Sequence, residues 1–200
     1  MIIRLIKRAA IWALALALVG CLVPEQFETS ITVNADKSYV FTYRGLLTYV
    51  PAAIEATKGP LSDKTRKQLD TLTAKISEDL QASSVSHIGR GRYRVELTKT
   101  GKPGEKYAFP AASDWILKIE ESKTGDLAIR VKEPREKTRK DLASIGIDLR
   151  GKLNVTHGDE LIAVKHNFPN EPTILGFRYD YRWDIEPGSP APLLILRTTK

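Results

Sequence analysis

The chain has 200 residues, a single cysteine and a formal net charge of +7 at neutral pH. This length is enough for one ordinary domain or at most two small ones. A single thiol excludes an intramolecular disulfide framework, and it excludes metal or redox sites built from several cysteines. The stability of the fold must therefore come from packing.

The first residues have the composition of an export signal. Residues 1–8 contain Arg4, Lys7 and Arg8 without any acid, and residues 9–19 form an unbroken apolar run. A charged head followed by a short apolar segment is typical of a signal peptide. The run is shorter than the roughly 20 apolar residues that span a bilayer, and no polar face interrupts it as in an amphipathic core helix. An uncleaved anchor stays open as an alternative.

The sequence Leu18-Val19-Gly20-Cys21 follows this apolar run directly. It resembles the lipobox of bacterial lipoproteins, which has an aliphatic residue, a small or branched one, Gly or Ala, and then Cys. The resemblance implies attachment of diacylglycerol to the Cys21 thiol, cleavage between Gly20 and Cys21, and acylation of the new amino terminus by a chain such as palmitate. Each buried methylene contributes about 0.8 kcal/mol, so two or three chains hold a protein on a membrane. We therefore predict a signal peptide at residues 1–20 and a lipid-anchored mature protein.

The predicted location is the cell envelope, with the protein facing the periplasm. In Gram-negative lipoproteins an aspartate after the cysteine resembles an inner-membrane retention signal, and this chain has Leu22 at that position. The outer membrane is therefore favoured if the source is Gram-negative. Without the three cations of the signal the formal charge falls from +7 to +4, which suits acidic lipid headgroups. Export makes nucleic acid an unsuitable partner.

The mature chain is expected to begin with a short tether. Residues 21–27 form this lipidated tether in our prediction, because Pro24 keeps them out of a helix, and residues 28–200 form a single domain. Alternating apolar residues after position 28 predict a hairpin, with its turn at residues 34–37, where Asn and Asp tolerate left-handed backbone.

Two helices and several further strands follow. Apolar residues at spacings of three, four and eight predict a helix from Leu61 to Leu80, and Pro134 opens a second helix through Ile145 that Gly146 ends. Period-two alternation predicts strands near residues 92–97, 115–119, 127–131, 149–155, 161–165, 177–185 and 193–196. The predicted fold class is α+β, with about eight mostly antiparallel strands and two helices packed on them.

The strand at residues 177–185 places five aromatic or branched side chains on one face. The simpler interpretation is that this face belongs to the core, because aromatic residues contribute the largest buried areas. A sharper hypothesis is an apolar pocket, roofed by the first helix, that admits an acyl chain. The candidate lining residues of this pocket are Phe177, Tyr179, Tyr181, Trp183, Leu69, Leu72 and Ile76.

The sequence offers no pattern typical of catalysis. It lacks GxSxG, GxxxxGK[ST], GxGxxG and HExxH, and the three histidines, His87, His157 and His166, lack the spacing of a zinc site. We therefore predict a protein that is not an enzyme and that has no catalytic residue, metal or cofactor. A hydrolase would need a perturbed acid or histidine in a cleft, and Asp180, Asp184 and His166 are the groups to inspect for it.

The mature chain also resembles a family of bacterial envelope lipoproteins of unknown function, the LppM-like group. The shared pattern is a first turn of the form V-x-x-D-x-(S/G), then a late G-x-(I/L)-x-V strand and a strand that carries Trp. The matching positions here are Val33, Asp36, Ser38, Gly151, Leu153, Val155 and Trp183. The resemblance implies an α+β domain that faces lipid or binds a partner and has no known catalytic residues. Some members have a carboxy-terminal membrane anchor, which we do not expect here because the last residues, up to Lys200, are charged.

Two functions follow from these observations. The first is a membrane-anchored lipoprotein without enzymatic activity, whose domain binds a lipid or another amphiphile in an apolar pocket. The alternative is a scaffold or assembly lipoprotein that binds an envelope protein through the basic surface of the second helix, Arg135 to Lys140. Ion pairs such as Glu136 with Lys140 would instead make that surface an ordinary solvated helix face.

Overall fold

The computed structural model describes residues 22–199, so the predicted signal peptide and Cys21 lie outside the described residues. The strands are β1 (Leu22–Val33), β2 (Tyr39–Tyr49), β3 (Ser84–Gly89), β4 (Arg92–Gly101), β5 (Tyr107–Phe109), β6 (Leu117–Glu121), β7 (Leu127–Val131), β8 (Gly151–Gly158), β9 (Leu161–His166), β10 (Thr173–Leu175), β11 (Arg178–Ile185) and β12 (Leu193–Thr198). The helices are α1 (Val50–Ala56), α2 (Asp63–Leu80) and α3 (Glu136–Ser144). Within residues 22–199, no helix is both long enough and apolar enough to cross a membrane.

The strands form two sheets. The larger has seven strands in the order β10-β11-β8-β1-β2-β4-β3, and the smaller has five in the order β5-β6-β7-β12-β9. Neighbours are antiparallel except for β1 and β8, which run parallel. The α+β class is confirmed, but the predicted counts of eight strands and two helices are too low. Strands β5 and β10 have three residues each, and α1 has seven. Neither the alternation of a strand nor the 3.6-residue period of a helix extends far enough in these elements to be recognised.

The first strand begins earlier than predicted. The expected tether at residues 21–27 is wrong for residues 22–27, because these residues are the first half of β1 and Leu22 is only 2% exposed. Residues 22–25 pair with β2 alone, and pairing with β8 starts at Phe27. Pro24 therefore lies where the strand has a single neighbour, which is where a sheet tolerates proline.

The core lies between the two sheets and under α2. Across the sheets, the ring centroid of Phe109 lies 5.5 Å from that of Phe41 and 4.5 Å from that of Tyr43. Helix α2 covers the β4–β3 edge of the large sheet, where the Tyr93 hydroxyl donates a 2.9 Å hydrogen bond to the Leu69 carbonyl. The apolar stripe predicted for this helix is buried as Leu69, Leu72, Ile76 and Leu80.

Candidate functional site

The structure separates the residues predicted to line one pocket. Phe177 precedes β11 and is 77% exposed, whereas Tyr181 and Trp183 are buried in the core and Tyr179 is half-buried. These rings pack against the loop after β9: the Phe168 ring centroid lies 5.8 Å from Tyr181 and 5.3 Å from Trp183. The partners of the aromatic strand therefore come from the second sheet.

The helical residues of that predicted pocket lie at the opposite edge of the large sheet from β11. Leu69, Leu72 and Ile76 belong to α2, which contacts β3 and β4, while β11 is separated from β4 by β8, β1 and β2. Among the described residues, the helix and the aromatic strand thus do not enclose a common cavity. The aromatic face is core, as in the simpler interpretation of the sequence.

His157 is buried within this aromatic core. Its ring stacks on Tyr179 and Tyr181 at centroid distances of 5.2 and 5.7 Å. Its Nδ1 lies 2.7 Å from the Gly158 carbonyl oxygen, which can only accept, so Nδ1 carries the proton. Nε2 is buried without a hydrogen-bond partner among the described residues. No group of three or more His, Cys, Asp or Glu side chains in residues 22–199 could hold a metal ion.

This environment predicts a loss of stability in mild acid. Burial lowers the pKa of the His157 imidazole below its ordinary value of 6.5, so the unfolded chain takes up a proton more readily than the folded one. The free energy of unfolding should be insensitive to this group above pH 6.5 and should fall below it, by at most about 1.4 kcal/mol per pH unit. Urea unfolding between pH 5 and 8 measures this slope. His157→Phe should remove it, whereas replacing the exposed His87 should not; equal slopes in all three proteins would contradict the assignment.

The acids considered for a hydrolase do not converge with His166. Asp180 and Asp184 point to the outer face of the large sheet, where the Asp180 Oδ1 accepts a 2.6 Å hydrogen bond from the Thr156 hydroxyl. His166 packs against the Tyr181 ring, on the opposite face of β11. The two carboxylates and the imidazole thus cannot act on one substrate atom.

The basic helix face is largely neutralised. On α3, Lys137 and Lys140 pair with Asp141 and Glu136, both at 2.7 Å, and Arg139 pairs with Glu133. Exposed pairs of this kind support the helix modestly. They leave little uncompensated charge with which the surface from Arg135 to Lys140 could attract a partner.

The outer face of the large sheet forms an open hollow of about 670 Å³ with a polar lining. A row of alternating charge crosses five strands there, because neighbouring positions are occupied by Glu96, Arg44, Glu28, Lys152 and Asp184. Arg44 Nε lies 3.1 Å from the Glu96 carboxylate. Opposite charges on adjacent strands stabilise a sheet, so this row has a structural explanation.

An apolar cleft of about 400 Å³ lies beside the start of β1. Its walls come from β1, the segments before β6 and after β7, α3, and the proline-rich loop between β11 and β12. The main apolar wall residues are Leu22, Phe27, Trp115, Val131, Leu142 and Ile185. A small void between Phe27 and Phe109 shares Pro24, Ile116, Val131 and Ile185 with the cleft walls. The floor of the cleft therefore reaches the aromatic core.

The rim of the cleft is polar and carries both charges. The Lys118 and Lys132 ammonium groups lie 5.7 and 5.9 Å from the Trp115 ring centroid, within the range of cation–π attraction. Lys132 also lies 3.6 Å from Asp114. Arg135, at the start of α3, is exposed and has no ion pair among the described residues. An apolar interior with a polar rim of mixed charge suits a molecule with an apolar chain and a polar head.

A buried ion pair fixes the strand that carries the cleft. Glu25 is 3% exposed, and its carboxylate accepts hydrogen bonds from Arg92 Nε at 3.1 Å, from the Thr48 hydroxyl at 2.5 Å and from the Asp148 backbone N–H at 3.3 Å. These contacts join β1 to β2, β4 and the segment before β8. Leu22 and Phe27 are thereby held in the cleft wall on either side of Glu25.

Comparison with known protein families and with curated protein sequences finds no match. Among solved structures, the chain is similar to the folded domain of the Mycobacterium tuberculosis LppM protein determined by NMR, with a TM-score of 0.39 and 13% identity. The alignment covers 90% of this chain and 91% of that chain. A likeness this weak does not transfer a function.

Proposed function

We propose that this chain is a lipid-anchored protein of the bacterial cell envelope that binds an acyl chain of a lipid or related amphiphile in the apolar cleft. The observation that supports this function is the position of the cleft. Leu22 lies in its wall and directly follows Cys21, the residue that the lipobox marks for diacylglycerol. For a Gram-negative source we propose the outer membrane, from the residue at position 22.

The size and lining of the cleft support an acyl ligand. Ligand pockets enclose about 300–1,000 Å³ and are mostly apolar with a few polar groups, and this cleft encloses about 400 Å³. Each methylene that enters contributes about 0.8 kcal/mol. The exposed Arg135 at the rim can pair with an acidic headgroup. The other rim cations, Lys132 and Arg139, are paired with Asp114 and Glu133, and the proposal includes no catalytic step.

Filling the cleft should weaken lipid binding about tenfold without unfolding the protein. Thr138 lies on α3, is exposed and lines the cleft, so Thr138→Trp places an indole where the chain would lie. The full-length protein is reconstituted in vesicles that contain a phospholipid with a diazirine on its acyl chain, and crosslinks are mapped by mass spectrometry. We expect crosslinks at residues 114–116 and 186–192 that drop about tenfold in the variant, the equivalent of about two methylenes.

The matched control is Lys140→Trp on the same helix. Lys140 is exposed and does not line the cleft, so crosslinks from this variant should equal those of the wild type. Equal crosslinking in Thr138→Trp, Lys140→Trp and wild type would contradict binding in the cleft.

A second candidate function is an assembly lipoprotein that binds an envelope protein. The observation in its favour is a group of exposed apolar side chains outside the cleft lining, some in the β10–β11 hairpin and some on the edge strand β9. Its exposed residues are Ile162, Val164, Ile174, Leu175 and Phe177. Exposed apolar patches are common at protein interfaces. If Phe177→Ser loses binding of the envelope protein while crosslinking in the cleft stays intact, this candidate is favoured over the first.

A further inference from the structure

One end of the large sheet gathers the start of the domain, a short helix and a hairpin tip. Leu22 pairs with Tyr49, whose backbone N–H donates a 2.8 Å hydrogen bond to the Gly91 carbonyl. Helix α1 starts at the next residue, and a Cβ built on Gly91 would lie 2.7 Å from that of Ala52. We call this region the anchor end: Leu22, α1 and residues 88–91.

The anchor end exposes apolar side chains. Ile54 on α1 and Ile88 at the end of β3 are 41% and 44% exposed. Pro51, one turn before Ile54, is exposed on the same side of α1, whereas Ala52 and Ala53 are buried against the domain. The short helix therefore directs an apolar face away from the protein.

The exposed charges beside these residues are cationic. Arg90, at the hairpin tip with φ 51°, and Lys58, just after α1, are exposed and have no ion pair among the described residues. The nearby acid Glu55 stays charged, and its carboxylate accepts hydrogen bonds from the Thr65 hydroxyl at 2.5 Å and from the Ser62 N–H at 2.6 Å. The other acid of this end, Glu25, is buried against Arg92. With two cations, Arg90 and Lys58, against the one carboxylate of Glu55, the surface combines apolar groups with a net positive charge.

We propose that the domain docks directly on an anionic bilayer through the anchor end, with Ile54 and Ile88 entering the interface and Arg90 and Lys58 contacting lipid phosphates. This inference rests on the proposed lipid attachment at Cys21. Because Leu22 is already buried in β1, the Cα of Cys21 lies about 3.8 Å from that of a core residue. No spacer therefore separates the acyl chains from the folded domain, and the anchor end must lie at the headgroups. Apolar side chains beside cations bind such interfaces.

The opposite end of the sheet provides an internal reference. Strand β11 runs from Arg178, paired with Gly158, to Ile185, paired with Gly151, and Gly151 neighbours Phe27 near the start of β1. The β10–β11 hairpin, with the exposed Leu175, therefore lies at the end far from Leu22. Position 175 should remain in water when the anchor end is docked.

The test uses the single cysteine of the chain. Lipidation blocks the Cys21 thiol, so an introduced cysteine is the only reactive one. Full-length Ile88→Cys, Ile54→Cys and Leu175→Cys proteins are reconstituted in phosphatidylglycerol–phosphatidylethanolamine vesicles and labelled with a membrane-impermeant maleimide, and each rate is divided by the rate in urea. We expect labelling about tenfold slower at positions 54 and 88 than at 175.

The outcomes distinguish a failure of docking from a failure of lipidation at Cys21. If the proteins float with the vesicles and all three positions react at the same relative rate, the domain is anchored without docking, and the inference is wrong while the proposed function stands. If the wild-type chain itself reacts with maleimide and does not float, Cys21 is not lipidated, and the proposed function fails first. Slow labelling at 54 and 88 in vesicles of neutral phosphatidylcholine as well would overturn the role given to Arg90 and Lys58.

Discussion

Arg92→Met should lower the free energy of unfolding by about 3–5 kcal/mol, the usual cost of leaving a buried charge without its partner. The Arg92 guanidinium donates to both carboxylate oxygens of Glu25, at 3.1 and 3.2 Å, and to the Gly146 carbonyl at 2.7 Å. Methionine keeps the length of the side chain but leaves the Glu25 carboxylate buried and uncompensated. Urea unfolding at pH 7, with the midpoint and slope fitted separately, measures the change.

Two further variants identify the cause of this loss. Arg44→Met removes an exposed pair with Glu96 from the same sheet and should cost less than about 1 kcal/mol. Combining Glu25→Gln with Arg92→Met removes the buried charge itself and should recover part of the loss. If Arg92→Met and Arg44→Met have the same effect, the Glu25–Arg92 pair does not fix β1 as described.

Cys21→Ser should abolish lipidation and leave a soluble or signal-anchored precursor. A serine hydroxyl does not form the thioether that the lipobox resemblance implies, so the chain should keep its 20-residue signal and lack the mass of the acyl chains. Intact mass and phase partition together measure the effect. Val19→Ala is the matched control, because alanine also satisfies the small or branched position and should leave lipidation intact. A Cys21→Ser protein that is still cleaved and partitions into detergent would refute lipidation at this residue.

Strand β1 would join the proposed anchor at Cys21 to the rest of the domain. The strand begins one residue after Cys21, lines the cleft with Leu22 and Phe27, and enters the core with Ile31 and Val33. The buried Glu25 fixes its bulged part, where Gln26 has φ 48° and the register shifts. A lipid in the cleft would therefore contact a rigid strand whose other end is built into both the sheet and the core.

Local patterns in the sequence predicted the elements that depend on local physics. The turn at residues 34–37 forms as expected, with the Asp36 carboxylate accepting a hydrogen bond from the Ser38 N–H at 2.9 Å. Helix α2 starts after Ser62, whose hydroxyl accepts from the Thr65 N–H, and buries the predicted stripe. The alternation in β11 correctly separates Tyr181 and Trp183 from Arg182 and Asp184. Capping and periodicity decide such features within a few residues.

Pairing over long distances was not predictable in this way. Alternation indicates that one face of a strand is buried but not which element covers it. The pocket hypothesis placed α2 over the aromatic strand, whereas the structure places Phe168 and His166 there. Residues 22–25 were missed because Pro24 and Glu25 interrupt the alternation, and only the ion pair with Arg92, 67 residues away, makes a buried Glu25 stable.

The cleft was missed for a related reason. Its walls include residues 114–116, residues 131–135 and the loop at residues 186–192, which have no common period and meet only when the two sheets pack. The signals available in the sequence were the three prolines of the last segment, which stiffen a loop, and Trp115, which Lys118 and Lys132 approach only in the folded chain. Neither signal indicates a cavity without the position of β1.

Native mass spectrometry of the full-length protein, extracted from bacterial membranes in mild detergent, tests the central claim most directly. Lipid bound covalently at Cys21 stays with the chain on denaturation, whereas lipid held in the cleft is lost. We predict both masses in the wild type and only the covalent one in Thr138→Trp. A wild-type protein that carries its covalent lipid but no additional lipid under gentle conditions would contradict acyl binding in the cleft, and it would favour a protein partner at the exposed patch around Phe177.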